Sequence, residues 1–160
     1  MLILNKKQII QHVHLNEELI PIIEEAFVSL SKGSVMMPPI MRIDIKKYHG
    51  ESDIKAAYIE GLDSFAIKIA SGFFDNPKLG LPSSNGLMVL LDSQTGIVKS
   101  VLLDEGYLTD TRTAIAGAIA TKYLSNQNAK TVGIIGAGIQ ARLQLQAIML
   151  VRKINKITIW

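Results

Sequence analysis

The run Thr131–Ile135, continued by Gly136-Ala137-Gly138-Ile139-Gln140-Ala141, limits what this chain can fold into more than any other stretch. A helical pattern follows it to about Lys153, and a second β-branched run closes at Lys156–Trp160. Strand, glycine turn, helix and strand in that order spell a βαβ unit, the crossover that a pair of parallel strands requires. Each small residue has its own job. Gly136 permits the tight turn, Gly138 lets backbone approach a pyrophosphate with no Cβ in the way, and Ala141 lets the helix lie close on the strand. The helix N-terminus offers unpaired N–H groups and the positive end of its dipole. Two glycines also occur in ordinary strand-to-helix turns, and it is the flanking strands that favour a dinucleotide. The acid expected to hold the ribose lies about 20 residues on, at or just past Trp160, where the chain stops.

A chain of 160 residues is long enough to bury about two thirds of its unfolded surface. It ends on a strand of an unfinished α/β unit, so a truncated sequence is expected. Hydrophobic residues make up 48%, yet no apolar run approaches the length of a membrane span. The first residues, Met1 to Lys7, place apolar side chains before the charges and lack a small-residue cleavage site, unlike a signal peptide. The absence of cysteine excludes disulfides and thiolate chemistry and fits a cytoplasmic location. The net charge of +3 comes from scattered lysines, which is not the basic stripe that nucleic acid demands.

Ahead of the glycine unit the pattern is α+β. Leu2–Leu4 reads as a strand, with Asn5 capping a brief helix through Val13. Asn16 is expected to cap a second helix with Glu17 and Glu18 in its first turn, and Gly33 to close it. Ile40–Ile45, Ile54–Glu60, Ser64–Ser71, Gly86–Leu91 and Ile97–Leu103 read as strands joined by short turns, which makes an antiparallel meander. Asp110–Ser125 reads as a slim, alanine-rich helix capped by Thr109 or Asp110. The domain boundary is placed at 125/126. His12 and His14 have no partner at metal-ligand spacing and read as solvent-exposed, and no metal site is expected.

Three cations stand out. Lys68 lies between Ala66 and Ala70 on one face of its strand, with room above it for an anion, although alternation alone leans to a solvent face. Arg42, between Met41 and Ile43, poses the same question. Arg112 falls in the expected first turn of the Asp110–Ser125 helix, where the dipole disfavours a cation. A bound anion or a pairing with Asp110 or Asp104 would each explain it.

Met37-Pro38-Pro39 before an arginine strand, Lys68, Leu81-Pro82-Ser83-Ser84, Asp104-Glu105-Gly106-Tyr107-Leu108-Thr109-Asp110-Thr111-Arg112-Thr113 and Gly136–Ala141 occur in this order. Together they resemble the ornithine cyclodeaminase/mu-crystallin family over essentially the whole chain. The resemblance implies an α/β protein, with an α+β substrate and dimerisation domain at 1–125 followed by the first βαβ unit of a Rossmann domain at 126–160. It implies that Arg42, Lys68 and Arg112 gather round a substrate carboxylate. Thr113, Gly136, Ala137, Gly138, Ile139 and Gln140 would line NAD, with NADP still open and Arg112 nearby; Ser84 or Asn85 would touch the nicotinamide side. The implied reaction oxidises an amino acid to an imine, closes a ring with loss of ammonia and reduces the ring imine, as from ornithine to proline. A catalytic aspartate is expected beyond Trp160, so none is assigned within the chain. The family also offers an imine (ketimine) reductase, an alanine dehydrogenase, a member of ectoine breakdown, and a non-catalytic ligand-binding protein. An inactive fragment is the remaining reading. The expected partners are a small amino or imino acid and a second copy of the chain, with neither nucleic acid nor membrane.

Overall fold

The computed structural model describes residues 1–160. After β1 (Leu2–Asn5), the Asn5 side chain accepts from Gln8 N–H while the Gln8 side chain accepts from Asn5 N–H. This reciprocal capping box starts α1 (Lys6–Ile10). The helix stops at Ile10 rather than at Val13, and one further turn carries the chain on through Val13 N–H to the Ile9 carbonyl at 2.9 Å. α2 spans Leu19–Ser31. Asn16 does not cap it as expected, because its side-chain amide is turned to Glu18 at 3.1 Å. Gly33, at φ 78°, does close it, with Gly33 N–H on Leu30 O and Ser34 N–H on Ser29 O.

The strands are β2 (Val35–Met36), β3 (Met41–Ile45), β4 (Gly50–Ile59), β5 (Ser64–Phe73), β6 (Ser84–Asp92) and β7 (Val98–Leu103). β3 to β7 form the expected antiparallel meander, and β1 adds to β7 in parallel. The outer edge of β4 is shared, with β3 pairing its first half and β2 its last two residues. β4 starts at Gly50, four residues before the expected Ile54. The ladder from β3 on one side and β5 on the other carries the polar run Glu51-Ser52-Asp53 into the sheet.

β7 leads through the buried Asp104 and two residues of positive φ, Glu105 and Gly106, into α3 (Tyr107–Leu124). This start is earlier than the expected Asp110, because Tyr107 N–H already donates to Asp104 O at 3.0 Å. Neither Thr109 nor Asp110 is therefore the cap, and Arg112 lies beyond the first turn. β8 (Thr131–Ile134), α4 (Ile139–Val151) and β9 (Lys156–Ile159) complete the βαβ unit, with β8 and β9 parallel.

By packing, the chain divides into two compact units. The first, here the sheet unit, comprises Met1–Val13 and Ser29–Tyr107; the second, the helical unit, comprises His14–Val28 and Leu108–Trp160. The core of the helical unit has two clusters. Ile20 packs with Ile115 and Ile119, and Ala114 and Ala118 pack with Ala147. All three alanines are completely buried, so the small residues of α3 do let it approach a neighbouring backbone closely. Arg152 then ties off the end of α3, donating to the carbonyls of Thr121, Lys122 and Ser125 and to Ser125 Oγ.

Candidate functional site

In the helical unit, the parallel pairing of β8 and β9 runs on past the strand ends. Gly136 N–H donates to Trp160 O at 2.7 Å, which places the glycine turn at the C-terminal edge of this pair. Gly136 adopts φ 95°, the left-handed region that an L-residue enters only under strain. Gly138 differs. As N-cap of α4 it has φ −72° and ψ −174°, which any residue adopts. A Cβ built at either glycine would meet nothing within 4 Å. No side chain caps α4, so its first N–H groups are left without a side-chain acceptor. Room, unpaired donors and the positive helix end fit a pyrophosphate. Gly136, Ala137, Gly138 and Ile139 form this turn and the start of α4.

Gln140 is used differently. Its Nε2 donates to Asp110 Oδ1 at 2.9 Å and to Asp110 O at 3.3 Å, while its Oε1 is buried without a partner. Asp110 thus meets Gln140 and leaves Arg112, which is exposed on α3 without an ion pair. Thr113 Oγ1 donates back along α3 to Thr109 O at 2.7 Å.

In the sheet unit, register decides which side chains share a face, since alternate residues point to opposite sides. Arg42 stands opposite Asp53, which stands opposite Ala70; Lys55 stands opposite Lys68; Gly72 stands opposite Ser84. Arg42, Asp53, Lys55, Lys68 and Ser84 therefore lie on one face, with the small Ala70 between Asp53 and Gly86, and Ala57 and Ala66 just beyond the Lys55–Lys68 pair. One intervening strand and an offset of two residues put the Arg42 and Lys68 backbones roughly 12 Å apart by sheet spacing, so long side chains can converge on a small anion. Asn85 falls on the opposite face, beside Ile69, Ser71 and Leu87. Its side chain accepts from Gly86 N–H at 2.7 Å. Only Ser84 of that pair shares the face of Lys68.

The cations are not equally available. Arg42 is paired with Asp44 at 2.9 Å and also with Glu51. The hydrogen bond that Arg42 donates to Asp44, then the charges of Asp44 and Glu51, raise the guanidinium above its already high ordinary value. Lys55 Nζ lies 3.0 Å from Asp53 Oδ2, while Asp53 Oδ1 is buried without a partner. Sequence reasoning missed Glu51, Asp53 and Lys55. Glu51 and Asp53 fall before the expected strand start at Ile54, and Lys55, inside it, takes its place on this face only through the register with Lys68. It missed the Asp110–Gln140 bond too, for which residues 30 apart on two helices leave no local signal.

His12 and His14 are exposed, as expected. No helix is long and apolar enough to cross a membrane.

The model of the ornithine cyclodeaminase/mu-crystallin family matches residues 1–160. An uncharacterized cyclodeaminase of Sinorhizobium fredii is 56% identical over 161 residues, covering 100% of this chain and 49% of that protein. Among solved structures, the Δ1-pyrroline-2-carboxylate reductase of Thermococcus litoralis in complex with NADH and L-proline matches with a TM-score of 0.93. It is 36% identical and covers 99% of this chain and 49% of that one. An archaeal alanine dehydrogenase dimer with bound NAD gives a TM-score of 0.90 at 31% identity, over 99% of this chain and 48% of that one. The chain spans about half the length of the curated relatives it matches.

Proposed function

The chain belongs to the ornithine cyclodeaminase/mu-crystallin family, and we propose that it supplies the carboxylate-binding face and the pyrophosphate turn of an NAD-dependent enzyme acting on a small amino or imino acid. One observation carries this reading. The glycine turn after β8 leaves open space in front of an uncapped helix N-terminus. NAD, when bound there, would supply hydride chemistry, and the protein's part is to bind, orient and polarise the substrate.

In this reading Arg42, Lys68 and Arg112 hold the substrate carboxylate through charge-assisted bonds. Gly136, Ala137, Gly138 and Ile139 hold the pyrophosphate, Gln140 supports that turn, Thr113 lines the dinucleotide, and Ser84 faces the nicotinamide side. No residue from 1 to 160 is given the proton transfer. Residues 1–125 serve the substrate and dimerisation and 126–160 open the nucleotide domain. The exposed apolar residues Ile3, Met41, Ile43 and Leu103 share one sheet face, which supports pairing with a second copy. A cysteine-free chain fits the cytoplasm.

Two chemistries fit the family. Cyclodeamination of L-ornithine is favoured by the 56%-identical relative that bears a cyclodeaminase name. Reduction of a cyclic imine is favoured by the neighbour holding NADH and L-proline. Incubating the full polypeptide with L-ornithine and NAD in one assay, and with Δ1-pyrroline-2-carboxylate and NADH in a second, separates them. Proline without accumulation of NADH supports the first, whereas NADH consumed by Δ1-pyrroline-2-carboxylate, with ornithine untouched, supports the second.

The shared premise is tested by Gly138→Val. At φ −72° with nothing within 4 Å of the new Cβ, the fold accepts the side chain, and only a ligand would be displaced. NADH binding should vanish in a fluorescence titration with the melting temperature unchanged. Retained affinity would falsify the nucleotide reading.

A further inference from the structure

Gln140 is the second residue of α4, directly after the glycine turn, yet its carboxamide is spent on α3. Nε2 donates to Asp110 Oδ1 at 2.9 Å and to the Asp110 carbonyl at 3.3 Å, and Oε1 is left buried with no donor. Turning the amide over would set its oxygen against two acceptors, so this orientation is the one that bonds. The chain leaves a buried acceptor unpaired in order to keep a charge-assisted bond from the start of α4 to Asp110.

The middles of the same two helices are already fixed by Ala114, Ala118 and Ala147, all completely buried. What remains adjustable is their ends. One end carries the N–H groups in front of the glycine turn, and the other carries Arg112 and Thr113, just after Asp110.

Resting on the reading that this turn binds a dinucleotide, we propose that Asp110 is a positioning residue. Through Gln140 it sets the first turn of α4 against the segment of α3 that bears Arg112 and Thr113. The aspartate touches neither nucleotide nor substrate. It acts only through the glutamine, so the two residues behave as a single device. Nucleotide affinity then depends on a carboxylate 30 residues before the motif that makes the contact, and a ligand on Arg112 and a ligand on the turn sense one another through one hydrogen bond.

The test is NADH titration of the full polypeptide, with melting temperatures recorded alongside. Asp110→Ala and Gln140→Ala should each weaken NADH binding about tenfold, the worth of one charge-assisted bond. The double variant should be no weaker than either single one, because both remove the same interaction. Asp110→Asn keeps an oxygen for Nε2 and should recover most of the affinity. Gln140→Glu sets carboxylate against carboxylate and should bind NADH more weakly than Gln140→Ala. Losses that add, no recovery with Asn, or equal affinities for the Glu and Ala variants overturn the proposal. Unchanged affinity in all of these while Gly138→Val abolishes binding removes the positioning pair alone. Unchanged affinity in Gly138→Val as well removes the nucleotide reading with it. Should Asp110→Ala unfold, the Asn variant and the two Gln140 variants still decide.

Discussion

No residue of β5 is fully buried, although all ten are partly covered, whereas α3 holds Thr111, Ala114, Ile115, Ala118 and Ile119 in its interior. The sheet unit is held by a continuous ladder across β3 to β7, in which each net hydrogen bond contributes about 0.5–1.5 kcal/mol and no single one dominates. The helical unit is held by close contact of small residues and by one arginine that gathers the loose carbonyls at the end of α3. Its cohesion is concentrated at a few positions. The same difference runs through the charges. Arg42 in the sheet unit is already engaged by Asp44 and Glu51, and Arg112 in the helical unit is exposed with no ion pair. A distributed structure should tolerate change at most positions, and a concentrated one should fail at a few.

The largest effect should come from the contrast between the two arginines. Arg112→Ala, in the full polypeptide, should raise the Michaelis constant for the amino or imino acid by the equivalent of about 2–5 kcal/mol, the cost of removing one partner of a desolvated charged bond. Arg42→Lys keeps a cation between the same two carboxylates and should cost much less. Equal Michaelis constants for wild type and Arg112→Ala would take Arg112 out of the site.

Next is Arg152→Ala. It removes the guanidinium donor from Thr121 O, Lys122 O, Ser125 O, Ser125 Oγ and Asn126 O, leaving Thr121 O with Ser125 N–H, and should destabilise the helical unit by about 2–3 kcal/mol, as expected for lost hydrogen bonds to a charged group. Urea melts followed by near-ultraviolet circular dichroism at Trp160 would read it. A variant as stable as wild type would show that the cohesion is not concentrated there.

Smaller still is a pair of enlargements. Ala118→Leu overfills the α3–α4 contact at about 1–3 kcal/mol, while Ala66→Val adds bulk to the half-covered, β-favouring face of β5 and should be close to neutral. Equal losses in thermal melts would erase the distinction between the units.

The smallest effect concerns pH, and its sign differs between units. Hydrogen bonds from Ser64 and Lys99 hold Asp63 below the ordinary carboxylate range, Lys78 does so for Asp75, and Thr95 for Asp92. A depressed folded pKa gives stability that is full above the unfolded value near 4 and is lost as pH falls through the lower folded value. The hydrogen bond to Glu24 raises Lys122, so its contribution is full below the unfolded value near 10.4 and is lost as pH rises through the folded one. The sheet unit should therefore soften in acid and the helical unit in strong alkali. Asp92→Asn should flatten the acid slope of the melting temperature, and an unchanged slope would exclude Asp92 as its source.

How far these features can be read from residues alone depends on whether they are local. The βαβ unit, the meander and the Gly33 helix end follow from short-range signals, and the expected boundaries lie within a few residues of the observed ones. Glu51-Ser52-Asp53 is too polar to announce a strand, and only its neighbours on both sides make it one. Tyr107-Leu108-Thr109 continues the apolar and β-favouring tone of β7, which hid the early start of α3. At the site, Gly136 is legible because its positive φ demands a glycine, and Gly138 because the motif spacing marks it, its own backbone being one that any residue adopts. The engagement of Arg42 is not, since Glu51 reaches it across a hairpin. Ser84 and Asn85 could be told apart only once register fixed which face each one takes.

The helical unit is not continuous in the chain. Its first segment, His14–Val28, comes long before the rest, Leu108–Trp160. During synthesis, Leu19, Ile20 and Ile23 leave the ribosome with nothing to cover them until Ile115 and Ile119 have been made and α3 has been secured by Arg152. The interval between Val28 and Arg152 takes roughly 6–25 s at the usual 5–20 residues per second. For that time an apolar helix waits on the nascent chain while the entire sheet is made and can pair. A chaperone that grips short apolar helices would find its substrate there, and the helical unit would be the last part of these 160 residues to become resistant to protease.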